Sequence, residues 1–228
     1  MTLVIAHRTC PRDAPENSIE GIRMAARAGA DAVEVDVRRA AGGVPVLLHD
    51  PLLARTALLP WPVAWTPASV VQRLRTRGGG RPPTFAAALA ALEGGLKMAV
   101  DVKDPGAGPA TVRTVRETGS EGKVLLWSQH EAALRHMAAE LPDVECALLR
   151  DAFGARDIGR FLDDAVAFGA RAISAHQDTV TPDLLEDARS RGLRVYCWIQ
   201  QLDRHEQLLA LGLDGVVTDW PAEARAML

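Results

Sequence analysis

The chain has 228 residues, of which 48% are hydrophobic and 24% are charged, and its formal net charge at pH 7 is −3. This composition is typical of a globular protein with enough length for one large core. The small negative charge gives no reason to expect binding to nucleic acid or to an anionic membrane surface.

Three cysteines, Cys10, Cys146 and Cys197, form no CxxC pair and no even set. They predict a reducing compartment rather than a disulfide framework. The sequence has no charged and apolar leader and no apolar run long enough to span a bilayer. We therefore expect a cytoplasmic protein.

The first predicted unit is a strand followed by a helix. Residues 3–6 are apolar and end at His7 and Arg8, which is typical of a buried parallel strand with polar chemistry at its carboxyl end. Asn17, with Glu20 three residues later, predicts a helix start of the capping-box kind, and Gly29 predicts the end of that helix.

The next apolar run contains two carboxylates, Glu34 and Asp36, which alternate with valines. In a strand this period of two puts both acids on one face, roughly 7 Å apart at their Cα atoms. Two acids held together near a core repel each other, so a positive group has to compensate, most economically a bound cation. The alternative is an edge strand with one solvated face.

Gly42 and Gly43 separate this run from the apolar residues 44–48, which predicts a hairpin that returns His49 toward the preceding strand. Residues 51–83 are irregular and proline-broken, and we predict a loop or lid with one helical turn around residues 69–74. Since large aromatics are usually buried, we expect the two tryptophans of this stretch to pack in the core. A lid or lipid-contacting patch over residues 58–65 is the alternative.

From Thr84 onward, predicted helices alternate with predicted strands over residues 98–103, 124–127, 145–149, 170–175, 195–199 and 215–218. Ser128 with Glu131 predicts a capping box, and Thr181 followed by Pro182 predicts another helix start. With the hairpin counted as an excursion, eight strand–helix units form one domain over residues 1–228. This pattern predicts an α/β fold, a closed (β/α)₈ TIM barrel, rather than an open doubly wound sheet, for which no GxGxxG motif is present.

A barrel of this kind carries its site at the carboxyl ends of its strands. The polar residues predicted there are three acids, two cations and two histidines: Glu34, Asp36, Asp101, Arg8, Lys103, His7 and His49. Three carboxylates without paired cysteine or histidine ligands favour a hard divalent cation, Mg²⁺ or Ca²⁺. Arginine and lysine suit a phosphate group. The set predicts phosphoryl chemistry with general acid–base help.

These motifs resemble the glycerophosphodiester phosphodiesterase family over nearly the whole chain. The similarity is carried by His7-Arg8, Pro15-Glu16-Asn17-Ser18, Glu34-x-Asp36, His49-Asp50, Asp101-x-Lys103, Trp198 and Asp214-Gly215-Val216-Val217-Thr218-Asp219-x-Pro221. The resemblance implies a phosphoric diester hydrolase of glycerol and lipid metabolism. It implies that small glycerophosphodiesters are cleaved to glycerol 3-phosphate and an alcohol.

The resemblance also implies a role for each matching residue. The metal ligands would be Glu34, Asp36 and Asp101, the general acid and base His7 and His49, the phosphate-binding residues Arg8 and Lys103, and the pocket wall Trp198. Asn17 would contribute a side-chain amide contact. The family mechanism uses the substrate's own glycerol hydroxyl as nucleophile and leaves a cyclic phosphate for water to open.

Three departures from the family pattern keep other activities open. Residues Arg39-Ala40-Ala41-Gly42-Gly43 replace the family's Thr-x-Asp-Gly hairpin, and an inserted cap domain seen in some members is short here. Thr9 stands where the family usually has glycine, and Asp101 stands where it usually has the longer glutamate. A lysophospholipase D or sphingomyelinase-D-like activity on lipids is one alternative, with the apolar residues 58–65 as its feature. A catalytically idle barrel that binds a phosphorylated ligand is the other, with Thr9 and Asp101 as its feature.

Overall fold

The computed structural model describes residues 2–76, 78–151 and 156–228. Nine strands are present in this part of the chain: β1 (Leu3–Ala6), β2 (Ala32–Arg39), β3 (Pro45–Leu47), β4 (Lys97–Val102), β5 (Val124–Ser128), β6 (Cys146–Arg150), β7 (Ala172–His176), β8 (Arg194–Ile199) and β9 (Gly215–Thr218). The helices are α1 (Ile19–Arg27), α2 (Ala54–Ala57), α3 (Ala68–Val71), α4 (Phe85–Ala90), α5 (Gly108–Thr118), α6 (Glu131–Glu140), α7 (Ile158–Ala167), α8 (Pro182–Ser190), α9 (His205–Leu209) and α10 (Pro221–Ala226).

Eight of the strands form a closed parallel barrel. Their order is β1-β9-β8-β7-β6-β5-β4-β2, and β1 pairs with β2 as well as with β9, which closes the sheet. The remaining strand, β3, lies outside the barrel and pairs antiparallel with β2, with Leu47 opposite Val37. The predicted (β/α)₈ barrel with a hairpin after the second strand is therefore confirmed, and the open sheet is wrong.

Strand β2 separates two cores because alternate residues face opposite sides of the sheet. Val33, Val35 and Val37 are fully buried in the large cluster between the sheet and the helices, which includes Ile22 of α1. The barrel interior holds a second cluster that includes Ile5, Ala32, Ala99, Trp127 and Tyr196. Glu34 and Asp36 share the inner face with Ala32. The edge-strand alternative is wrong, since β1 and β4 flank β2.

Residues 51–83 carry a small core of their own. Leu53, Val63 and Val71 are buried there against residues of the hairpin. Trp61 and Trp65, however, are 52% and 81% exposed. The prediction that they pack in the core is wrong, because the smaller aliphatic side chains already fill the space under this segment.

Helices begin next to Asn17 and Ser128 as predicted, but the prediction that these two residues cap them is wrong. Helix α1 is capped by Ser18, whose Oγ accepts the N–H of Gly21 at 3.0 Å. Asn17 lies one residue earlier, with a φ of 53°, and its side chain is used elsewhere. Helix α6 begins after His130, and the Ser128 hydroxyl instead donates to Val102 O at 2.8 Å.

All three cysteines are buried and free. Burial raises the pKa of each thiol to about 12, which makes these groups poor nucleophiles. Among the residues that the structure describes, no helix has the length and apolar character needed to cross a membrane.

Candidate active site

Three carboxylates converge inside the mouth of the barrel. Asp36 and Asp101 are register partners on the adjacent strands β2 and β4, and Glu34 lies two residues before Asp36 on the same face. One oxygen of each can be chosen so that all three lie within 4.8 Å of one another, and each residue is at most 5% exposed. The prediction that Glu34 and Asp36 share one face of the sheet is confirmed, and Asp101 lies beside them.

Asp36 is the best compensated of the three. Its Oδ2 accepts the Asn17 side-chain amide at 2.8 Å, and its backbone N–H donates to Asn17 Oδ1 at 2.9 Å. Its Oδ1 lies 3.0 Å from Lys103 Nζ, and its Oδ2 lies 3.4 Å from Arg8 Nε. Burial alone would raise the pKa of Asp36, but the charges of Lys103 and Arg8 hold it well below its usual range.

Asp101 shares the ammonium group of Lys103. Lys103 Nζ lies 2.5 Å from Asp101 Oδ2, and the surrounding carboxylates raise the pKa of Lys103 although burial opposes them. The other oxygen, Asp101 Oδ1, is buried without a hydrogen-bond partner among the described residues. A buried carboxylate oxygen of this kind is costly unless something positive binds it.

Glu34 is the least compensated acid. Its Oε2 accepts the backbone N–H of Arg8 at 2.8 Å. Burial, together with the negative charge of Asp36, raises the pKa of Glu34 from 4.5 to about 7. The donor set of three carboxylates with an unpartnered Asp101 oxygen fits a hard divalent cation, which prefers oxygen ligands.

Each of the two histidines has one ring nitrogen held by an aspartate. His7 Nδ1 lies 2.7 Å from Asp219 Oδ1, and His49 Nδ1 lies 2.8 Å from Asp50 Oδ1. Because a carboxylate only accepts, these bonds place a proton on Nδ1 and leave Nε2 of the neutral ring as a proton acceptor. Burial, together with the positive charges of Arg8 and Lys103, lowers the pKa of His49, although the carboxylates of Asp36 and Asp50 act in the opposite direction.

The position of His49 is fixed from the barrel side. Its carbonyl oxygen accepts Arg38 Nε at 2.8 Å. The guanidinium of Arg38 also pairs with Asp104, which follows β4. The hairpin therefore returns His49 to the mouth, as predicted, and the ion pair between Arg38 of β2 and Asp104 helps to hold it there.

A cavity of about 40 Å³ lies beside the acids. It is lined by His7, Arg8, Glu34, Asp36, Asp101, Lys103, Trp127, Leu149, Ser174, Trp198 and Val217. The ring of Trp198 lies 5.6 Å from that of His7, centroid to centroid, and forms part of the wall. Trp127 also lines the cavity, and its Nε1 is buried without a described partner.

The turn that carries Arg8 has a strained backbone. Arg8, Thr9 and Cys10 have φ angles of 42°, 65° and 74°, a region that side chains other than glycine rarely adopt. Thr9 is fully buried, and its Oγ1 accepts the N–H of Ser18 at 3.1 Å. A Cβ on Gly21 would lie 2.1 Å from Thr9 O and 2.3 Å from Thr9 Oγ1. The turn therefore packs against α1 only because position 21 has no side chain.

The structure brings the residues predicted for the site together at the mouth of the barrel. All of them line the cavity except His49, which follows β3 next to it. Arg8 and Lys103 lie against the acids rather than apart from them, with Arg8 also paired to Glu16 at 3.3 Å. Sequence reasoning missed the contacts of Asp50 and Asp219 with the histidines. These contacts could have been predicted from the positions of the two aspartates in the sequence, since Asp50 follows His49 directly and Asp219 follows the last strand.

Comparison with known proteins gives consistent matches. A model of the glycerophosphoryl diester phosphodiesterase family matches residues 7–223, which include every residue of the candidate site. A glycerophosphodiester phosphodiesterase of Caldanaerobacter subterraneus is 25% identical over 236 residues, which cover 96% of this chain and 95% of that protein.

Solved structures share the fold. A glycerophosphodiester phosphodiesterase of Agrobacterium tumefaciens has a TM-score of 0.83 at 25% identity and covers 100% of this chain and 99% of its own. A phosphodiesterase of Oleispira antarctica, solved in complex with the product sn-glycerol-3-phosphate, has a TM-score of 0.84 at 22% identity, with coverage of 100% and 96%.

The raised pKa of Glu34 predicts a pH-dependent loss of stability. A carboxyl group with a folded pKa of about 7 keeps its proton after the unfolded chain has lost it near pH 4.5. Its stabilising contribution is complete below the unfolded pKa and is lost as the pH rises through about 7. We therefore compare the unfolding free energies of the wild type and of Glu34→Gln in the presence of a metal chelator. The value for the wild type minus the value for Glu34→Gln should fall between about pH 5 and about pH 8.

Denaturant unfolding measures this difference, and Glu34→Gln is a matched variant because it keeps the acceptor oxygen but cannot ionise. Mg²⁺ or Ca²⁺ should restore stability to the wild type at the upper pH more than to Glu34→Gln, because a ligand of the folded state stabilises it. A difference that does not change with pH would contradict the buried, uncompensated state of Glu34.

The contact between Thr9 and Gly21 predicts that alanine at position 21 destabilises the protein. Alanine normally stabilises a helix by about 1 kcal/mol relative to glycine, but Gly21→Ala should destabilise the protein by about 1–3 kcal/mol through overpacking. Thr9→Gly in the same chain should restore most of this loss, because glycine frees the turn to move.

Denaturant unfolding of the two single variants and the double variant tests this coupling. Gly159→Ala in α7 is the control, since its added Cβ would meet nothing closer than 3.6 Å, and it should be neutral or stabilising. Additive effects of Thr9→Gly and Gly21→Ala would show that the two positions do not depend on each other.

Proposed function

The chain belongs to the glycerophosphoryl diester phosphodiesterase family and is a phosphoric diester hydrolase, and we propose that seven side chains at the barrel mouth carry this hydrolysis. They are His7, Arg8, Glu34, Asp36, His49, Asp101 and Lys103. The observation that supports this assignment is the cluster of three buried carboxylates together with two histidines whose Nδ1 atoms are both held by aspartates. The products are glycerol 3-phosphate and an alcohol.

The metal ligands in this proposal are Glu34, Asp36 and Asp101. Their oxygen-only donor set suits Mg²⁺ or Ca²⁺, and the unpartnered Asp101 oxygen supports a cation at this place. When bound, such an ion lowers the pKa of a coordinated hydroxyl and screens the charge of the phosphate. Arg8 and Lys103 add two positive charges beside the same cavity, where they bind and orient the phosphate.

The general base in this proposal is His49. Burial lowers its pKa, so its Nε2 is unprotonated at neutral pH and able to take a proton from the glycerol hydroxyl of the substrate. That hydroxyl oxygen then forms a bond to phosphorus, and the bond from phosphorus to the leaving alcohol breaks. An attached nucleophile needs little extra positioning, which favours this route over direct attack by water.

The general acid in this proposal is His7. It lines the cavity, and Asp219 holds its Nδ1 so that Nε2 is directed away from the aspartate. In its doubly protonated form, His7 gives the Nε2 proton to the oxygen of the departing alcohol and becomes the neutral ring. Water then opens the cyclic phosphate, with the two imidazoles exchanging roles, and glycerol 3-phosphate is released.

A small, soluble glycerophosphodiester is the preferred substrate in this proposal. The related fold from Oleispira antarctica holds sn-glycerol-3-phosphate, which supports a small phosphate ester as the ligand. A lysophospholipase D-like activity on lipids is the second candidate, and the exposed side chains of Trp61 and Trp65 favour it. Three buried free thiols support a reducing, cytoplasmic location.

The two histidines predict different responses to the leaving group. On a glycerophosphodiester with an alkyl leaving group, His7→Ala and His49→Ala should each lower kcat by about 10²–10⁴. On glycero-3-phospho-p-nitrophenol, whose leaving group departs without a proton, His7→Ala should recover most of this loss. His49→Ala should not recover, because the nucleophile still needs a base.

Release of glycerol 3-phosphate and of p-nitrophenolate measures both reactions. His136→Ala is the control, since this half-buried histidine of α6 lies outside the site, and its kcat should be unchanged. Turnover of His7→Ala and His49→Ala within a few-fold of the wild type would refute the assignment of acid and base. An idle barrel would release no product at all.

Asp219 predicts a positioning effect that acts through His7. Asp219→Asn should lower kcat by about 10²-fold, because the amide no longer fixes the imidazole as the carboxylate does, while KM changes little. Adding Asp219→Asn to His7→Ala should cost nothing further, since the partner is already absent. Steady-state kinetics on the alkyl and p-nitrophenyl diesters gives this result, with the exposed Asp203→Asn as control. An additive double variant would mean that Asp219 acts independently of His7.

A further inference from the structure

Residues 51–83, referred to here as the rim segment, differ in charge from the rest of the chain. They contain five arginines and no lysine, histidine, aspartate or glutamate, in a chain whose net charge is −3. Arg73, Arg75 and Arg81 are exposed. None of the three forms an ion pair with any residue that the structure describes.

The rim segment also exposes large apolar side chains. Leu52, Leu58, Trp61 and Trp65 are 44%, 69%, 52% and 81% exposed. They are not part of the small core beneath them, which is complete without their exposed surface. Tryptophan in such a position is suited to the boundary between water and lipid, because its ring is apolar and its N–H is polar.

Hydrogen bonds within the rim segment fix the backbone that carries these side chains. The N–H of Leu53 donates to Trp61 O at 2.9 Å, and the N–H of Val63 donates to Pro51 O at 2.9 Å. The hydroxyl of Thr66 donates to Pro62 O at 2.9 Å. The exposed apolar surface is therefore a built feature of the fold.

The rim segment lies at the mouth of the barrel. It begins directly after His49 and Asp50. Its other end packs on the loop between β1 and α1, where a Cβ on Gly80 would lie 2.7 Å from Pro15 Cβ. A surface bound to this segment is therefore brought next to the candidate active site.

We propose that the rim segment is a docking surface for an anionic lipid bilayer. In this arrangement Leu58, Trp61 and Trp65 enter the headgroup region, and Arg73, Arg75 and Arg81 contact lipid phosphates. Paired contact with a second copy would bring arginines of like charge together, and a purely electrostatic partner would not need the apolar side chains. An anionic bilayer accounts for both the exposed apolar side chains and the arginines. The proposal does not depend on which diester is hydrolysed.

Vesicle sedimentation with the full chain tests the proposal. Binding to vesicles of equal parts phosphatidylglycerol and phosphatidylcholine should be at least about tenfold tighter than to phosphatidylcholine alone. It should weaken as salt is raised, because added ions screen the arginines. A blue shift of tryptophan fluorescence on binding should report entry of the indoles into the headgroup region.

Two double variants separate the two contributions. Trp61→Ser with Trp65→Ser, and Arg73→Glu with Arg75→Glu, should each weaken binding to the anionic vesicles by at least about tenfold. Val166→Ser and Arg160→Glu on α7 are the matched controls, since these side chains are also well exposed, and they should bind as the wild type does. Thermal unfolding checks that each variant is folded.

Turnover of a soluble glycerophosphodiester without vesicles should stay within about twofold for all of these variants, so the outcome is independent of the proposed catalytic roles. Failure of the wild type to bind anionic vesicles would overturn the proposal, as would binding that neither double variant weakens. A dimer that Trp61→Ser with Trp65→Ser dissociates, without vesicle binding, would assign the surface to a second copy and would overturn it as well.

Discussion

Three carboxylates buried at one point are the constraint on which the rest of the site depends. The pairing of β2 with β4 fixes Asp36 beside Asp101, and the alternation along β2 adds Glu34 to the same face. Acids this close cannot all ionise in a buried place without nearby positive charge. Lys103 and Arg8 supply part of that charge, and an oxygen of Asp101 remains unpartnered. This incomplete neutralisation is the reason that we propose a cation site at these three acids.

Part of this compensation comes from a loop whose backbone is strained. Among the described residues, four of the five side-chain-bearing residues with positive φ lie between β1 and α1: Arg8, Thr9, Cys10 and Asn17. This conformation directs the Arg8 N–H to Glu34 and the Asn17 amide to Asp36. Strain of this kind persists only where the surrounding structure fixes it. Here the close approach of Thr9 to Gly21 is part of what fixes it.

Sequence periodicity was sufficient for the architecture and for the shared face of Glu34 and Asp36, because both follow from local alternation. It did not distinguish Asn17 from Ser18 as the cap of α1, since either residue type can cap a helix and only the position of Asp36 in the fold decides. It also placed Trp61 and Trp65 in the core, because exposure depends on which neighbours already fill the space. Averaging the charge over the whole chain concealed the basic rim segment.

The site and the rim segment meet at His49. On the barrel side, His49 is held by Arg38, and Arg38 is anchored by Asp104 after β4. On the other side, the small core under the rim segment includes Leu48, the residue directly before His49. The exposed tryptophans of the rim segment lie outside that core. Contact of these tryptophans with a surface therefore leaves the bond between His49 and Arg38 in place, because it uses other side chains.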